Sequence, residues 1–179
     1  MTNPYFSRVD AWRIPATVIP EALAEMAVDG RDGNEGIMLF LGRDNEAAAE
    51  VTHLIRLRGP HLEKYPNQIK IAPVLLNDVT DVAIENNARL IGQVHSHGPG
   101  DSLDLSPTDR AYGIKTPYYL SLVAPDYGMS AIPIQRWGIH VFIENRGYVR
   151  LCVAEVRHRI QVVPAKHIPV ITVGAADGF

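Results

Sequence analysis

Two histidines and an aspartate lie close enough together in this 179-residue sequence to bind one metal ion. His95 and His97 are two residues apart and directly follow Leu90–Val94, a segment that predicts a strand. Side chains two apart on a strand point to the same face, so both imidazoles can reach one ion. Asp109 is the last residue of a Ser-Pro-Thr-Asp segment that begins at Ser106 and predicts a helix start. Two imidazoles and one carboxylate are typical ligands of a catalytic zinc ion, with water as the fourth ligand.

Each of these patterns also has a purely structural explanation. A His-x-His pair is common on exposed or half-buried strands, and the segment from Ser106 to Asp109 is by itself a helix cap. The two patterns at short spacing, joined as strand, loop and helix, indicate a metal site more specifically. A structural zinc site normally has four protein ligands, often cysteines, whereas Cys152 is the one cysteine of the sequence. The pattern therefore favours a catalytic site.

The segments around these residues predict an α/β domain. Helices are predicted from Pro20 to about Val28 and from Pro73 to about Ala88. Further strands are predicted at Gly36–Gly42, Val51–Leu57, Ile69–Ile71, Tyr118–Ala124, Gly138–Glu144 and Tyr148–Glu155. Helices interspersed with strands around a mixed sheet are typical of the α/β class. We expect one domain over residues 1–163 and a loosely held tail over residues 164–179, which contains prolines and ends in small residues.

Composition and charge exclude several classes of protein. Hydrophobic residues make up 46% of the chain and charged residues 21%, as in ordinary globular domains of one core. The net charge of −3 argues against a protein that coats nucleic acid and against a polybasic membrane anchor. The sequence has no apolar run of about 18 residues and no basic-then-apolar N-terminal segment, so we expect neither a membrane span nor a signal peptide. The expected location is the cytoplasm.

The chain resembles the JAMM (MPN+, or JAB) family of zinc metalloproteases. The residues that carry the resemblance are His95-Ser96-His97 followed by Ser106-x-x-Asp109, similar to the family signature His-x-His and Ser-x-x-Asp. The family also has an upstream glutamate seven residues before a glycine, and Glu35 and Gly42 have this spacing. The resemblance spans roughly residues 10–160. It implies the MPN fold, which is cytidine-deaminase-like and has a mixed, curved sheet flanked by helices.

The resemblance also implies a site and an activity. His95, His97 and Asp109 would bind one catalytic zinc ion, Glu35 would be the general base, and Ser106 would donate a hydrogen bond to the oxyanion. The reaction would be hydrolysis of the peptide or isopeptide bond after the C-terminal glycine of a ubiquitin-like protein. The compact chain is similar to stand-alone prokaryotic members, which are associated with ubiquitin-like conjugation operons, anti-phage systems and sulfur-carrier maturation.

The loop after the second histidine departs from the family. The family has a proline directly after that histidine, whereas here Gly98 precedes Pro99 and the loop to the serine is about one residue longer. We expect the residues 98–105 and 126–137 to contact the substrate tail, which would pair with a strand of the enzyme. Gly98, Pro99, Asp101 and Asp104 are the candidate substrate-binding residues, although solvated loop charges are the simpler interpretation of the two aspartates.

Other interpretations of the chain remain open or are disfavoured. A non-catalytic scaffold of the same fold is the main alternative. A nucleoside deaminase would need a Pro-Cys-x-x-Cys motif, which one cysteine cannot supply. A DNA-repair relative would need a basic surface, which a net charge of −3 does not offer. Cys152 falls within a predicted strand, where a buried small hydrophobic side chain is expected rather than a nucleophile.

Overall fold

A curled mixed sheet of nine strands lies at the centre of the computed structural model, which describes residues 8–45 and 47–174. Two further strands, β4 (Leu62–Tyr65) and β5 (Gln68–Ile71), form a separate hairpin. The strands of the sheet are β1 (Ala11–Pro15), β2 (Ile37–Asn45), β3 (Ala48–Leu57), β6 (Arg89–Ser96), β7 (Leu120–Ala124), β8 (Gly138–Ile143), β9 (Gly147–Arg150), β10 (Ile160–Val163) and β11 (Val170–Val173). Their order in the sheet is β10-β1-β3-β2-β6-β7-β8-β9, and β11 pairs with β3. β6 and β7 are parallel, whereas β2 is antiparallel to both of its neighbours.

Helices cover both faces of this sheet. The described helices are α1 (Val18–Gly30), α2 (Pro73–Glu85), α3 (Pro107–Tyr112) and α4 (Val153–Arg159). Met38 and Phe40 of β2 face the core that contains α1 and α4, while Leu39 and Leu41 face the core that contains α2. β2 is therefore buried on both faces, as its nearly unbroken apolar sequence predicts. Among the described helices, none is long and apolar enough to cross a bilayer.

The structure confirms the α/β class and both predicted long helices. α1 begins at Val18, two residues before the proline that suggested its start. α2 begins at Pro73, as predicted, but ends at Glu85 rather than near Ala88. Asn87, two residues after this end, has φ 47°. This left-handed conformation is one that asparagine tolerates, and it ends a helix.

A close contact between α1 and β2 fixes the start of that strand. A Cβ atom at Gly36 would lie 2.6 Å from the Met26 Cα atom, so only glycine fits there. The Gly36 N–H donates to the Ser96 hydroxyl at 2.9 Å, and the Ser96 N–H donates back to the Gly36 carbonyl at 3.0 Å. These contacts hold the residue before Gly36, which is Glu35, beside the end of β6.

The predicted strand Tyr148–Glu155 is wrong in its second half. β9 ends at Arg150 and α4 begins at Val153, with Cys152 as its N-cap residue. The Glu155 carboxylate accepts a hydrogen bond from the Cys152 N–H at 2.8 Å, which stabilises the first turn of the helix. Cys152 is therefore exposed at a helix start, not buried in a strand as predicted.

The prediction of a loosely held tail is wrong for residues 170–173. These residues form β11, which pairs in parallel with β3 over Leu54 to Leu57. The Pro169 carbonyl accepts a hydrogen bond from the Leu54 N–H at 2.9 Å, and Val173 is buried in the core beside α2. The pairing of this strand with a partner more than 100 positions earlier has no local sequence signal. Residues 175–179 of the predicted tail lie outside the described part of the chain.

Candidate metal centre

The three predicted ligands meet where β6 ends and α3 begins. The Nε2 atoms of His95 and His97 are 3.2 Å apart. Oδ2 of Asp109 is 3.7 Å from the first of these nitrogens and 3.5 Å from the second. Both histidines are buried, and the aspartate is partly buried. His95, His97 and Asp109 can therefore hold a metal ion.

The spacing of these atoms suits a tetrahedral ion. Zinc binds histidine nitrogen and carboxylate oxygen at about 2.0–2.2 Å, so adjacent ligand atoms around a tetrahedral ion lie about 3.3–3.5 Å apart. The three measured separations, between 3.2 and 3.7 Å, agree with this value. The ligand atoms form one small triangle, and the set leaves a fourth position for water or substrate.

Neighbouring groups orient two of the three ligands. Nδ1 of His97 is 2.6 Å from the Ser102 carbonyl oxygen. Because a carbonyl can only accept, Nδ1 carries the hydrogen and Nε2 keeps its lone pair for an ion. Oδ2 of Asp109 accepts a hydrogen bond from the Ser106 N–H at 2.8 Å, which fixes the carboxylate at the first turn of α3.

Ser106 is the N-cap residue of α3, as the sequence predicts. Its Oγ atom accepts a hydrogen bond from the Asp109 N–H at 3.1 Å. This bond uses a lone pair of the hydroxyl oxygen and not its hydrogen. The hydroxyl can therefore cap the helix and still donate its hydrogen to another acceptor.

Glu35 lies just beyond the end of the β2–β6 ladder, close enough to His97 for each charge to act on the other. Ile37 pairs with His95 and Gly36 bonds to Ser96, so the next position in the antiparallel register places Glu35 beside His97. The Glu35 side chain is buried, with a relative exposure of 4% for the residue.

The charges of the site shift the pKa values of three of its groups. Burial raises the pKa of Glu35 to about 8; the Asp109 and Asp101 carboxylates add to this effect, while His97 opposes it. Burial also acts to raise the pKa of Asp109, but the two facing imidazoles outweigh it and hold the pKa well below its ordinary value. The pKa of His97 is raised, because Asp109, the Ser102 carbonyl and Glu35 outweigh the effect of burial. A buried carboxyl with a strongly raised pKa in a cleft is typical of functional sites.

The loop after His97 begins with a tight turn. The Asp101 N–H donates to the Gly98 carbonyl at 3.1 Å, and Gly100 has φ +81°, so residues 98–101 form a turn of the type favoured by Pro-Gly at its centre. A Cβ atom at Gly98 would lie 2.9 Å from the Tyr127 hydroxyl oxygen and 2.7 Å from the Asp101 carboxylate. The extra glycine before Pro99 thus lets the turn pack against Tyr127.

The four candidate substrate-binding residues have different surroundings. Gly98 is buried in this contact, whereas Pro99 and Asp101 are exposed. Asp101 acts on the site through its charge, as described for Glu35. Asp104 accepts from His140 at 3.3 Å and pairs with Arg150 at 3.1 Å. Its role in the structure is to anchor the loop to β8 and β9.

A cavity of about 380 Å³ adjoins His95 and Asp109. The elements that form its walls were not predicted from the sequence. β5 forms one wall, α3 and the residues after it form the other, and the face of β6 and β7 forms the floor. Its apolar lining includes Ile37, Ile69, Ile71, Leu76, Leu105 and Ile114. Gln93, Tyr112 and Tyr148 also line it. Gln93 could have been found from the sequence, because it lies two residues before His95 and therefore on the same face of the strand.

The second predicted docking segment, residues 126–137, does not line this cavity. It forms two short 3₁₀ turns. Tyr127, in the first of them, has φ 53° and makes hydrogen bonds to two segments beside the site. Its N–H donates to the His97 carbonyl at 2.8 Å, and its hydroxyl donates to the Pro66 carbonyl at 3.2 Å. Tyr127 therefore joins the ligand strand to the turn between β4 and β5.

Comparison with known proteins shows a related fold and no family. No protein-family profile and no curated protein sequence matches the chain. The structure is similar to the solution structure of protein DSY2949 from Desulfitobacterium hafniense, with a TM-score of 0.58 and 17% sequence identity. The similarity covers 86% of this chain and 93% of that chain. At this level of identity it shows the fold alone.

Proposed function

We propose that this protein is a zinc metalloprotease of the JAMM (MPN+) type, with an MPN fold. The observation that carries the proposal is the placement of buried Glu35 beside a ligand triangle of tetrahedral spacing, formed by His95, His97 and Asp109. Two imidazoles, one carboxylate and a non-ligand glutamate are the parts that metal-assisted hydrolysis of an amide needs. Bound zinc would supply Lewis acidity towards the scissile carbonyl and would acidify a water molecule.

The protein's own groups would handle the proton and the developing charge. Glu35 would take a proton from the attacking water and deliver it to the leaving nitrogen as the carbon–nitrogen bond breaks. Burial raises the pKa of this carboxyl to about 8 when no ion is bound, and a nearby cation would lower that pKa and favour the ionised form that accepts a proton. Ser106 would donate its hydroxyl hydrogen to the carbonyl oxygen as that oxygen becomes negative.

The cavity beside the ligands favours an extended, partly apolar peptide as the substrate. Among the described strands, β5 pairs with β4 alone, so its outer edge can accept a further strand along one wall of the cavity. The opposite wall includes the apolar side chains of Leu105 and Ile114, which can contact side chains of that strand. The C-terminal tail of a ubiquitin-like protein has this extended form, and its Gly-Gly end can pass close to the ligands because it carries no side chains.

The proposal is tested by metal analysis together with a cleavage assay. The substrates are ubiquitin-like proteins whose Gly-Gly tails are joined to a reporter by a linear peptide bond or to a lysine by an isopeptide bond. The enzymes are the wild type, Glu35→Ala, and Glu85→Ala as a control at an exposed position on α2. We expect one zinc ion per chain in all three and loss of cleavage in Glu35→Ala alone.

Three results would contradict the proposal. A wild-type protein that binds zinc and cleaves no substrate of either type would support the scaffold alternative. A wild-type protein that fails to take up zinc when it is supplied would remove the basis for the metal site itself. Cleavage by Glu35→Ala at the wild-type rate would show that another group carries the proton.

A further inference from the structure

The two ligand histidines are held at Nδ1 by different kinds of partner. His97 donates from Nδ1 to the Ser102 carbonyl, which can only accept. Nδ1 of His95 instead faces the side-chain amide of Gln93, at 3.4 Å from its nitrogen. An amide can either donate or accept, so it does not by itself fix which His95 nitrogen carries the hydrogen.

A buried tyrosine holds the other side of this amide. Tyr119 has a relative exposure of 0%, and its hydroxyl donates to the Gln93 Oε1 atom at 3.0 Å. Gln93 lies two residues before His95 on β6, so both side chains are on the face that forms the floor of the cavity. The amide is thus held between an imidazole and a phenol.

A metal ion at Nε2 of His95 requires the opposite orientation of this amide. When Nε2 binds an ion, Nδ1 carries the hydrogen and needs an acceptor. The amide atom that faces Nδ1 in the structure is a donor, which suits the tautomer with its hydrogen on Nε2. A half-turn of the Gln93 amide would bring Oε1 to His95 and the NH₂ group to the Tyr119 oxygen, so Nδ1 of His95 would gain an acceptor and the phenol oxygen would accept a hydrogen bond from the amide.

We propose that Gln93, oriented by Tyr119, is a positioning residue of the metal site that accepts from His95 Nδ1 and thereby directs Nε2 to the ion. This inference rests on the proposed metal site. A neutral amide suits the position better than a carboxylate would, because Glu35, Asp101 and Asp109 already place three acidic groups around the site. The amide orients His95 without adding a fourth.

The test measures metal affinity, which does not depend on knowing the substrate. Zinc affinity is determined by competition with a chelator for the wild type, Gln93→Met, Gln93→Glu and Tyr119→Phe. Loss of an outer hydrogen bond to a ligand histidine typically lowers affinity by about 10–100-fold. We expect a loss of this size in Gln93→Met, recovery in Gln93→Glu because a carboxylate accepts from Nδ1, and a smaller loss in Tyr119→Phe. Gln68→Met is the matched control for affinity, because Gln68 lines the same cavity from β5.

A second measurement separates positioning from a general loss of structure. The visible spectrum of the cobalt-substituted protein reports the ligand geometry, and we expect it to change in Gln93→Met and to recover in Gln93→Glu. Wild-type zinc affinity in both Gln93→Met and Tyr119→Phe, with binding lost in His95→Ala, would overturn the inference and leave the metal site standing. Unchanged zinc binding in His95→Ala would overturn the metal site as well. If Gln93→Met does not fold, Tyr119→Phe tests the same link without altering β6.

Discussion

Replacement of Glu35 by glutamine should stabilise the protein in the presence of a chelator, and increasingly so as the pH rises. Burial raises the pKa of Glu35 to about 8, whereas the same group titrates near 4.5 when it is free of such effects. Between these values the folded protein holds a proton that the unfolded chain has lost. The free energy of unfolding of the wild type therefore falls as the pH rises through this window. Glutamine keeps the shape of the side chain and removes this titration.

The expected size of the effect follows from the shift in pKa. Each pH unit across the window changes the free energy of unfolding by about 1.4 kcal/mol for one proton. From pH 5 to pH 7.5 the difference in stability between Glu35→Gln and the wild type should increase by about 3 kcal/mol. Glu35 contributes to the raised pKa of His97, so the difference between the two curves reports the titration of the glutamate together with its effect on His97.

Urea unfolding at a series of pH values, in buffer with a chelator, measures this difference. Glu85→Gln is the control, because Glu85 is exposed on α2 and its replacement should leave the pH profile parallel to that of the wild type. If the Glu35→Gln curve is also parallel to the wild-type curve over this range, then the carboxyl is not held protonated by burial. The argument that Glu35 is a perturbed group beside the ligands would then be refuted.

Three further variants test the surroundings of the site. Ser106→Ala should lower the free energy of unfolding by about 1 kcal/mol through loss of the helix cap, and peptide cleavage by about 10²–10³-fold, as urea unfolding and kinetics would show. Gly98→Ala places a methyl group against Tyr127 and should cost about 1–3 kcal/mol of stability, so an unchanged Tm would contradict the packing described. A chain that ends at Pro169 loses β11 and should unfold at a lower urea concentration than one that ends at Gly174, and equal midpoints would contradict the pairing of β11 with β3.

The three candidate metal ligands could be predicted from the sequence because they lie within 15 residues of one another. A strand fixes the relation of His95 to His97, and a helix cap fixes Asp109, so local rules are sufficient. Glu35 could not be found in this way, since 60 residues separate it from His95 and only the resemblance to a family indicated it. Its position depends on the register between β2 and β6, which is a property of the folded sheet.

The cavity wall formed by β5 and the pairing of the outer strands could not be predicted either. Both depend on contacts between segments that are far apart in the sequence. Two hydrogen bonds hold the β4–β5 hairpin, and with it β5, beside the site. The Glu35 N–H donates to the carbonyl of Tyr65 at the end of β4, and the Tyr127 hydroxyl donates to the carbonyl of Pro66 in the turn. β1, β10 and β11 all form parallel pairs with distant partners. The turn at Gly98 is different, because its central Pro-Gly pair is a local signal that predicts such a turn.

The pKa values of the site also indicate how a metal ion and the fold depend on each other. The protein places the carboxyl groups of Glu35, Asp101 and Asp109 around two imidazoles, and a negative charge on buried Glu35 is disfavoured by burial and by the charges of the two aspartates. A dication bound by His95, His97 and Asp109 would offset these effects and favour the ionised form of Glu35, which lowers its pKa. Metal binding would therefore stabilise the folded state and, at the same time, prepare the glutamate to accept a proton. Above pH 6, Glu35→Gln should therefore be more stable than the wild type by a smaller margin when zinc replaces the chelator. The ion offsets the unfavourable burial of the ionised Glu35 carboxylate, which glutamine avoids.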